Sequence, residues 1–230
     1  MRRGVFVTGT DTGVGKTLAA CALVHALAAA GARPVPMKPI AAGAGNDNGI
    51  PTNDDTVALM HAAHLGGEWR DAVTPILLHE PMAPHIAARR ENRVIELGAV
   101  GAALDRLEPL GDFLVVEGVG GFHVPLGDRL DTVDLARAIG LPVVLVVGLR
   151  LGCLNHALLT AQAVRSAGLA LAGWIANAID PAMAVPDENV EALRERLGAP
   201  LLGRLPHQAS PDPRVLARRL DVRPLGIGAA

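Results

Sequence analysis

The chain has 230 residues, half of them apolar, with 21 basic and 23 acidic side chains. This length suits one domain with a sizeable core, and the nearly balanced charge offers no basic field for nucleic acid. Aromatic residues make up only 2% of the chain, so no stacking platform for bases is expected, and no apolar run is long enough to span a membrane. Two cysteines without metal-site spacing, and no room for a signal peptide before the first strand, favour a reducing, cytoplasmic location.

Strand and helix signals alternate from the N-terminus. Residues 5–7 predict a strand, residues 18–30 a helix, and residues 34–39 a second strand. Residues 41–53 are rich in Gly, Asn and Asp, which indicates an active-site loop or lid. A helix is expected from Asp54 or Asp55 to residue 65, and residues 72–84, with three prolines, are expected to be irregular.

The second half of the chain continues the alternation. After a helix over residues 95–107, two continuous apolar runs at residues 112–117 and 141–147 predict strands buried on both faces, as in parallel sheets. The remaining predicted elements are a helix at 155–166, a strand at 171–177, a helix at 190–197, a strand at 201–206 and a helix at 211–220, followed by a flexible tail at 226–230.

This pattern predicts a single α/β domain over residues 1–230. Its sheet is expected to be doubly wound and mostly parallel, with helices on both faces. Ligands bind such sheets outside the carboxyl ends of the strands. Functional side chains are therefore expected where the strands end.

The loop after the first strand has the composition of a phosphate-binding loop. Successive N–H groups of Gly13, Val14 and Gly15 and the following helix N-terminus can hold a polyphosphate. Lys16 then reaches the terminal phosphates, and the Thr17 hydroxyl faces a magnesium ion. Five residues instead of four separate the outer glycines, so the loop is a variant form, and a plain glycine turn is the alternative. The stretch reads Gly9-Thr10-Asp11-Thr12-Gly13-Val14-Gly15-Lys16-Thr17.

Two acids are candidate metal ligands. Glu117 closes a buried strand, and magnesium prefers hard oxygen ligands together with substrate phosphates. The alternative role for Glu117 is a helix-capping or salt-bridging acid. Asp55 is the second candidate, although the sequence does not separate it from Asp54, which would suit a helix cap.

Lys38 and Asn177 also stand at strand ends. Lys16 and Lys38 are the only lysines in the chain, and both fall in predicted site loops. Lys38 is therefore interpreted as a charge-stabilising group, with an ordinary surface lysine as the alternative. The Asn177 amide suits an adenine edge, with a turn-forming residue as the alternative.

Together these motifs resemble the dethiobiotin synthetases, the ATP-dependent carboxylases of biotin synthesis. The resemblance runs from the N-terminus to beyond residue 200, and the five-residue spacing of the glycine loop is a family trait. The further motifs that carry it are Lys38-Pro39, residues 53–55, Pro84-His85-Ile86, Val116-Glu117-Gly118 with Gly120-Gly121, Gly152-Cys153-Leu154-Asn155-His156, Gly173-Trp174-Ile175-Ala176-Asn177, Leu202-Gly203 and Leu205-Pro206.

The resemblance implies a P-loop NTPase-like fold, a homodimer and a set of site residues. Lys16, Thr17, Asp55 and Glu117 would hold MgATP, with Thr17 and the two acids as metal ligands. Lys16, Lys38 and Thr12 would be catalytic. The remaining assignments place the nucleotide on Gly13, Val14, Gly15, Lys16, Thr17, Asn177, Leu205 and Pro206, and the substrate on Thr12, Lys38, Ala42, Gly118, Val119, Gly120, Gly121, Gly152, Cys153, Leu154 and Asn155.

The implied reaction converts 7,8-diaminononanoate, CO2 and ATP into dethiobiotin, ADP and phosphate, through a carbamate and a mixed carbamic–phosphoric anhydride. In the family, the helix start at residues 152–155 binds the substrate carboxylate across the dimer interface. Two positions depart from the pattern. Ala42 stands where many members have a serine, and Gly13 where some carry an acid. No nucleic acid or membrane partner is implied.

Three other functions share parts of this pattern. A partition or maturation ATPase has the same fold and phosphate loop, but it commonly carries an extra lysine near the start of the loop, where this chain has Thr10-Asp11-Thr12. An amide ligase of the cobyrinic-acid type normally carries a glutaminase domain, for which this chain is too short. A regulatory nucleotide-binding module would not need Lys38, Glu117 and the 152–155 stretch together.

Overall fold

The computed structural model describes residues 2–47 and 49–228. Its strands are β1 (Gly4–Gly9), β2 (Pro34–Met37), β3 (Ile40–Ala42), β4 (Gly45–Asp47), β5 (Ile50–Thr52), β6 (Ile76–Leu78), β7 (Phe113–Glu117), β8 (Val143–Leu149), β9 (Leu171–Ala178) and β10 (Leu201–Leu205). Its α-helices are α1 (Lys16–Ala29), α2 (Asp54–Ala62), α3 (Arg70–Val73), α4 (Pro84–Arg90), α5 (Leu97–Leu107), α6 (Thr132–Ile139), α7 (Cys153–Ser166), α8 (Pro186–Arg196) and α9 (Pro213–Leu216).

A six-stranded parallel sheet forms the centre of the molecule. Its order is β2-β7-β1-β8-β9-β10, with every neighbouring pair parallel. All residues of β1, β7 and β8 are buried, as their uninterrupted apolar runs predict. After β1 the chain forms β2 and β7 on one side of β1. It then crosses to form β8, β9 and β10 on the other side of β1. The doubly wound parallel class predicted from sequence is therefore confirmed.

The two faces of the sheet carry separate helix layers. Val5 and Val7 of β1 pack in one cluster with the apolar side of α1. Phe6 points to the other face, where its cluster includes residues of α5 and α6. This alternation follows from the two-residue period of a strand. It leaves β1 covered on both sides, with its carboxyl end open at the edge of the sheet.

Two segments are more regular than the sequence predicts. The expected loop at residues 41–53 contains the end of β3 and a small antiparallel pair, β4 with β5; within that loop, Asn48 lies outside the described residues. The expected irregular stretch at 72–84 contains β6, which pairs in parallel with β3. Three-residue strands give no readable periodicity, and the β3–β6 pairing joins distant segments, which explains why these strands were not predicted.

Helix boundaries differ for local chemical reasons. The unpredicted α6 begins with a capping box, in which the Asp131 side chain accepts from the N–H groups of Val133 and Asp134 while Asp134 accepts from the N–H of Asp131. The predicted helix at 211–220 is limited to α9, followed by a short 3₁₀ turn, Ala217–Arg219.

The end of the chain is packed as far as the structure describes it. Ile227 is buried in the cluster beside α1, and the Arg3 guanidinium donates to the Gly226 carbonyl. Residues 226–228 thus differ from the expected flexible tail, because an apolar side chain anchors them. The rest of that tail, residues 229–230, lies outside the described residues.

Candidate active site

The loop between β1 and α1 has the shape that a phosphate site requires. Gly13 and Gly15 have φ angles of 77° and 81°, a left-handed conformation that favours glycine. A side chain at Gly15 would also collide with Asn177, since a Cβ there would lie 2.2 Å from the amide nitrogen. The Lys16 ammonium folds back over the loop and donates to the Asp11 carbonyl at 3.1 Å.

Beside this loop, one lysine and two carboxylates form a compact cluster. Lys38 Nζ lies 2.6 Å from Glu117 Oε1 and 2.8 Å from Asp55 Oδ2. The Thr17 hydroxyl oxygen lies 2.7 Å from Asp55 Oδ1 and 2.9 Å from Glu117 Oε1. We call these four residues the acid–lysine cluster. It joins the starts of α1 and α2 to the carboxyl ends of β2 and β7.

The backbone explains why these side chains meet. In the β2–β7 register Met37 is opposite Val116, so the following residues, Lys38 and Glu117, leave the sheet side by side. The N–H of Lys38 donates to the Val73 carbonyl at 2.8 Å, which fixes the chain direction after β2.

Asp55 is set by the cap of its own helix. The Asn53 side chain caps α2 by accepting from the N–H of Asp55 at 3.0 Å, and its amide donates to the Gly43 carbonyl at 3.1 Å. Asp54, the other candidate, is an exposed first-turn acid. Asn53 rather than either aspartate is therefore the N-cap, and Asp55 is the acid that faces the phosphate loop.

Burial controls the ionisation of the cluster. Desolvation raises the pKa of Glu117, which is fully buried, against the opposing effect of Lys38. Burial alone would lower the pKa of Lys38, but the charges of Glu117 and Asp55 outweigh it and raise that pKa. Burial alone would raise the pKa of Asp55, but the charge of Lys38 outweighs it and lowers that pKa. Desolvation and the charge of Lys38 lower the pKa of Lys16. Lys38 and Asp55 are thus held as an ion pair.

The cluster has the donor chemistry for one magnesium ion. Its free positions are hard oxygens, and Glu117 Oε2 is buried with no hydrogen-bond partner in the described part of the chain. Within residues 2–47 and 49–228 no group of three or more His, Cys, Asp or Glu forms a metal site. Two carboxylates and a hydroxyl match an ion that completes its shell with water and phosphate oxygens.

A cleft of about 710 Å³ connects the cluster to the phosphate loop. One wall is the loop after β7, and the opposite wall is formed by residues 81–84. Eleven of the site residues expected from the sequence line this cleft: Thr12, Gly13, Gly15, Lys16, Thr17, Lys38, Ala42, Asp55, Glu117, Val119 and Gly120. The sequence argument that strand ends converge is confirmed for these residues.

Comparisons with known proteins agree on one family. A family model described as an AAA domain matches residues 3–214. The ATP-dependent dethiobiotin synthetase BioD of Aromatoleum aromaticum is 53% identical to this chain over 95% of it and 96% of that protein. The protein of the same name from Nitrosospira multiformis is 52% identical over 100% of this chain and 99% of that protein. The chain belongs to the dethiobiotin synthetase family.

Solved structures outside this family share the fold. The septum site-determining protein MinD from Pyrococcus horikoshii, complexed with Mg-ADP, superimposes with a TM-score of 0.55 at 18% identity, covering 90% of this chain and 82% of that one. The signal recognition particle receptor FtsY from Elizabethkingia anophelis, in complex with GDP, gives a TM-score of 0.54 at 14% identity, covering 93% of this chain and 59% of that one. At these identities the likeness shows the fold alone. No helix in the described ranges has the length and apolar character needed to cross a bilayer.

The residues expected to hold adenine lie at the far side of the phosphate loop. Asn177 is buried, and its amide donates to the Val14 carbonyl at 2.8 Å. Leu205 is directly beside Asn177 in the β9–β10 register, with its side chain buried, whereas Pro206 is exposed. Asn177 therefore braces the loop, which the sequence reasoning did not anticipate.

The remaining family positions fall outside the cleft of their own chain. Gly121 borders a neighbouring pocket with Thr12, whereas the carbonyl of Gly118 accepts from Lys38 at 3.3 Å. The 152–155 stretch starts α7, with Gly152 at a φ of 94°. Within it the Cys153 side chain is buried in a core cluster, and Asn155 is exposed.

Sequence reasoning missed the wall at residues 81–84. Pro81, Met82, Ala83 and Pro84 face the acid–lysine cluster across the cleft. The prolines were the available signal, because a proline-rich segment with fixed φ angles suits a rigid wall as well as an irregular loop. Pro84 also starts α4, which supports the wall from behind.

We expect Lys38→Met to make the stability of the fold depend on pH. Without the ammonium, the pKa of Glu117 rises further above its ordinary value. A carboxyl with a raised folded-state pKa contributes stability below its unfolded pKa and loses it as pH rises through the folded one. Urea unfolding should therefore show a deficit relative to wild type that grows, as pH rises above the ordinary carboxyl pKa, to about 3 kcal/mol. In Lys38→Met/Glu117→Gln this growth should vanish; an equal slope in both variants would contradict the assignment.

Proposed function

We propose that this chain makes dethiobiotin from 7,8-diaminononanoate, CO2 and ATP, and releases ADP and phosphate. The observation that carries the proposal is the acid–lysine cluster, which opens into the same cleft as the phosphate loop and the loop after β7. Membership of the dethiobiotin synthetase family supplies the identity of the substrates. The same cleft offers space for a nucleotide terminus and a small diamine side by side.

The reaction proceeds in three steps. One amine of the substrate adds to the carbon of CO2 and loses a proton, which gives a carbamate. A carbamate oxygen then attacks the γ-phosphorus of ATP, and ADP leaves, which gives a mixed carbamic–phosphoric anhydride. The second amine attacks the carbonyl carbon, the cyclic urea closes, and phosphate and a proton are released. Each step needs positioning and charge neutralisation more than a protein nucleophile.

Lys16 and Lys38 neutralise the negative charge that develops during these reaction steps. Lys16 lies over the phosphate loop, where the terminal phosphates bind, and Lys38 borders the same cleft 3.3 Å from the Gly118 carbonyl. Thr12, Val119 and Gly120 form the substrate side of the cleft, with Gly118 and Gly121 next to them in the chain. Fixed charges in a site with little water stabilise a transition state strongly, because no solvent has to reorganise around them.

Thr17, Asp55 and Glu117 hold the magnesium ion. The ion supplies charge neutralisation at the phosphates of ATP. The unpartnered Glu117 Oε2 and the short contacts of Thr17 with both acids support this assignment. Asn177, Leu205 and Pro206 form the adenine side of the nucleotide site, next to the phosphate loop through the Asn177–Val14 hydrogen bond.

The protein works as a homodimer in this proposal. The start of α7 is exposed and lies outside the cleft of its own chain, and Leu151, just before it, is 96% exposed. A second apolar side chain, Leu159, is also exposed on α7. Pairing of two copies through this region would cover both leucines, and the N–H groups of Leu154 and Asn155 in the first turn of α7 would bind the substrate carboxylate of the other copy. The two free, buried cysteines, Cys21 and Cys153, favour a cytoplasmic setting.

Phosphate release tests the reaction directly. We expect release only when MgATP, bicarbonate and the diamine are all present. Lys16→Ala should lower kcat about a hundredfold or more, because a charge that acts on the transferring phosphoryl group is lost. Arg194→Ala, on the exposed side of α8, serves as the control. Release without the diamine would contradict the proposal and favour a partition-type ATPase.

The neighbouring aspartates provide a matched test of the metal site. Asp55→Asn removes a carboxylate from the acid–lysine cluster, so the magnesium concentration at half-maximal activity should rise about tenfold. Asp54→Asn removes the same charge from the same helix turn but faces solvent, and it should leave that concentration unchanged. Equal shifts in the two variants would indicate a general effect of helix charge instead of ligation.

Mixing two inactive variants tests the shared site. Lys16→Ala damages the cleft, and Asn155→Asp places a negative charge where the substrate carboxylate of the other copy should bind. In a mixed dimer one of the two sites has both intact parts, so equal mixing should restore about a quarter of wild-type activity. Activity no greater than the average of the two variants would contradict a site that both copies build.

A further inference from the structure

A second cleft lies at the end of α1 opposite the phosphate loop. Its volume is about 820 Å³, larger than that of the catalytic cleft. It lies between the C-terminal half of α1 and the segment that follows β10. His25, nine residues into the helix from Lys16, is about 14 Å along the axis from the phosphate loop. The two clefts share no lining residue.

The titratable side chains around this second cleft are mostly basic. They are His25, His64, Arg214, Arg218 and Arg223, with Asp221 as the one acid. Asp221 is already paired, because both of its oxygens accept from Arg223, at 2.9 and 2.6 Å. The three arginines and Asp221 give a net charge of +2 with neutral histidines, whereas the whole chain carries −2.

Two of the arginines have no counter-charge. Neither the Arg214 nor the Arg218 guanidinium makes a hydrogen bond or an ion pair with another residue in the part of the chain that the structure describes. Both are exposed at the rim of the cleft. The last helix carbonyls nearby do not compete for them, since the carbonyls of Ala26 and Ala28 accept from Ala30 and Gly31. A guanidinium fork without a partner matches a phosphate or a carboxylate.

The backbone holds one histidine at this cleft in an unfavourable conformation. His64 has a φ of 54°, in the left-handed region. It follows the end of α2, where Leu65 donates back to the Met60 carbonyl, a helix end that normally takes glycine. A glycine here would remove the strain but also the imidazole. The histidine at this position is therefore consistent with a role in the cleft.

The floor of the second cleft is apolar. Ala26, Ala217, Val222 and Ile227 are all buried and contribute to its lining. A free inorganic ion would leave this surface without a partner, whereas an organic group would cover it. Because the basic rim carries a charge of +2, it matches a dianion better than a monocarboxylate.

We propose that the second cleft binds a small organic phosphate. Its phosphate dianion lies between Arg214, Arg218 and the two histidines, and its organic part covers the apolar floor. The site is separate from the catalytic cleft and does not depend on the reaction proposed above.

His25 provides a local reporter for binding. Burial and the charge of Arg214 lower its pKa, His64 and His61 lower it further, and Asp212 opposes them. A bound dianion adds negative charge, so it should move that pKa upward. The imidazole signals of His25 and His64 can be followed by NMR during titrations with phenyl phosphate, inorganic phosphate and benzoate. Phenyl phosphate should move both signals and bind at least about tenfold more tightly than the other two probes.

Paired variants separate this site from the phosphate loop. Arg214→Ala/Arg218→Ala should weaken the phenyl phosphate response of His25 at least about tenfold and leave the signals of the phosphate loop responsive. Lys16→Ala should weaken the response of the phosphate-loop signals and leave the phenyl phosphate response of His25 unchanged. Arg194→Ala/Arg196→Ala on α8, which removes the same charge elsewhere, should change neither. A His25 response that survives in the Arg214→Ala/Arg218→Ala variant, or equal responses to phenyl phosphate and benzoate, would overturn the proposal.

The variant His64→Gly tests whether weaker binding could result merely from a destabilised fold. It should raise the midpoint of thermal unfolding, because the left-handed position is relieved, while phenyl phosphate binds more weakly. Unchanged binding in this more stable variant would show that the imidazole plays no part and would contradict the site as proposed.

Discussion

Lys38 places its ammonium 2.6 Å from Glu117 and 2.8 Å from Asp55 in a position that water hardly reaches. A buried charge is tolerated only when it is paired and hydrogen-bonded, and a pair that loses one partner leaves the other uncompensated. The positions of β2, β7 and α2 are therefore tied to one another by this contact. Thr17 extends it to α1 through hydrogen bonds to both acids.

The phosphate loop is held from outside in a similar way. Asn177 at the end of β9 donates to the Val14 carbonyl, and Arg150 after β8 forms an ion pair with Asp11 at 2.5 Å. Both supports come from strands on the side of β1 away from Lys38. These two contacts hold the loop from the β8–β9 side, and the Thr17 contacts with Asp55 and Glu117 hold it from the other side. Such preorganisation reduces the entropy lost on binding.

The sequence predicts the carboxyl edge of the sheet well because one general property of parallel sheets places its residues. The carboxyl ends of parallel strands meet, so Lys16, Lys38 and Glu117 could be brought together from strand assignments alone. The parts that it predicts poorly depend on pairings between distant segments. The β3–β6 pair and the wall at residues 81–84 have no period of their own. Asn53 could have been predicted as the N-cap of α2, since Asn is among the strongest N-cap residues. From the sequence, only the two aspartates that follow it were considered.

In the proposed function, the acid–lysine cluster would supply the oxygen ligands of a divalent cation. With Glu117 ionised, the two carboxylates and the Lys38 ammonium leave one negative charge, which attracts a cation. The Thr17 hydroxyl can keep donating its proton to a carboxylate while its lone pairs face the ion. Glu117 Oε2 is available because no other group in the described residues uses it. Desolvation raises the pKa of Glu117, whereas a bound cation would favour its ionised form. Metal binding and the ionisation of this buried acid are therefore a single linked equilibrium.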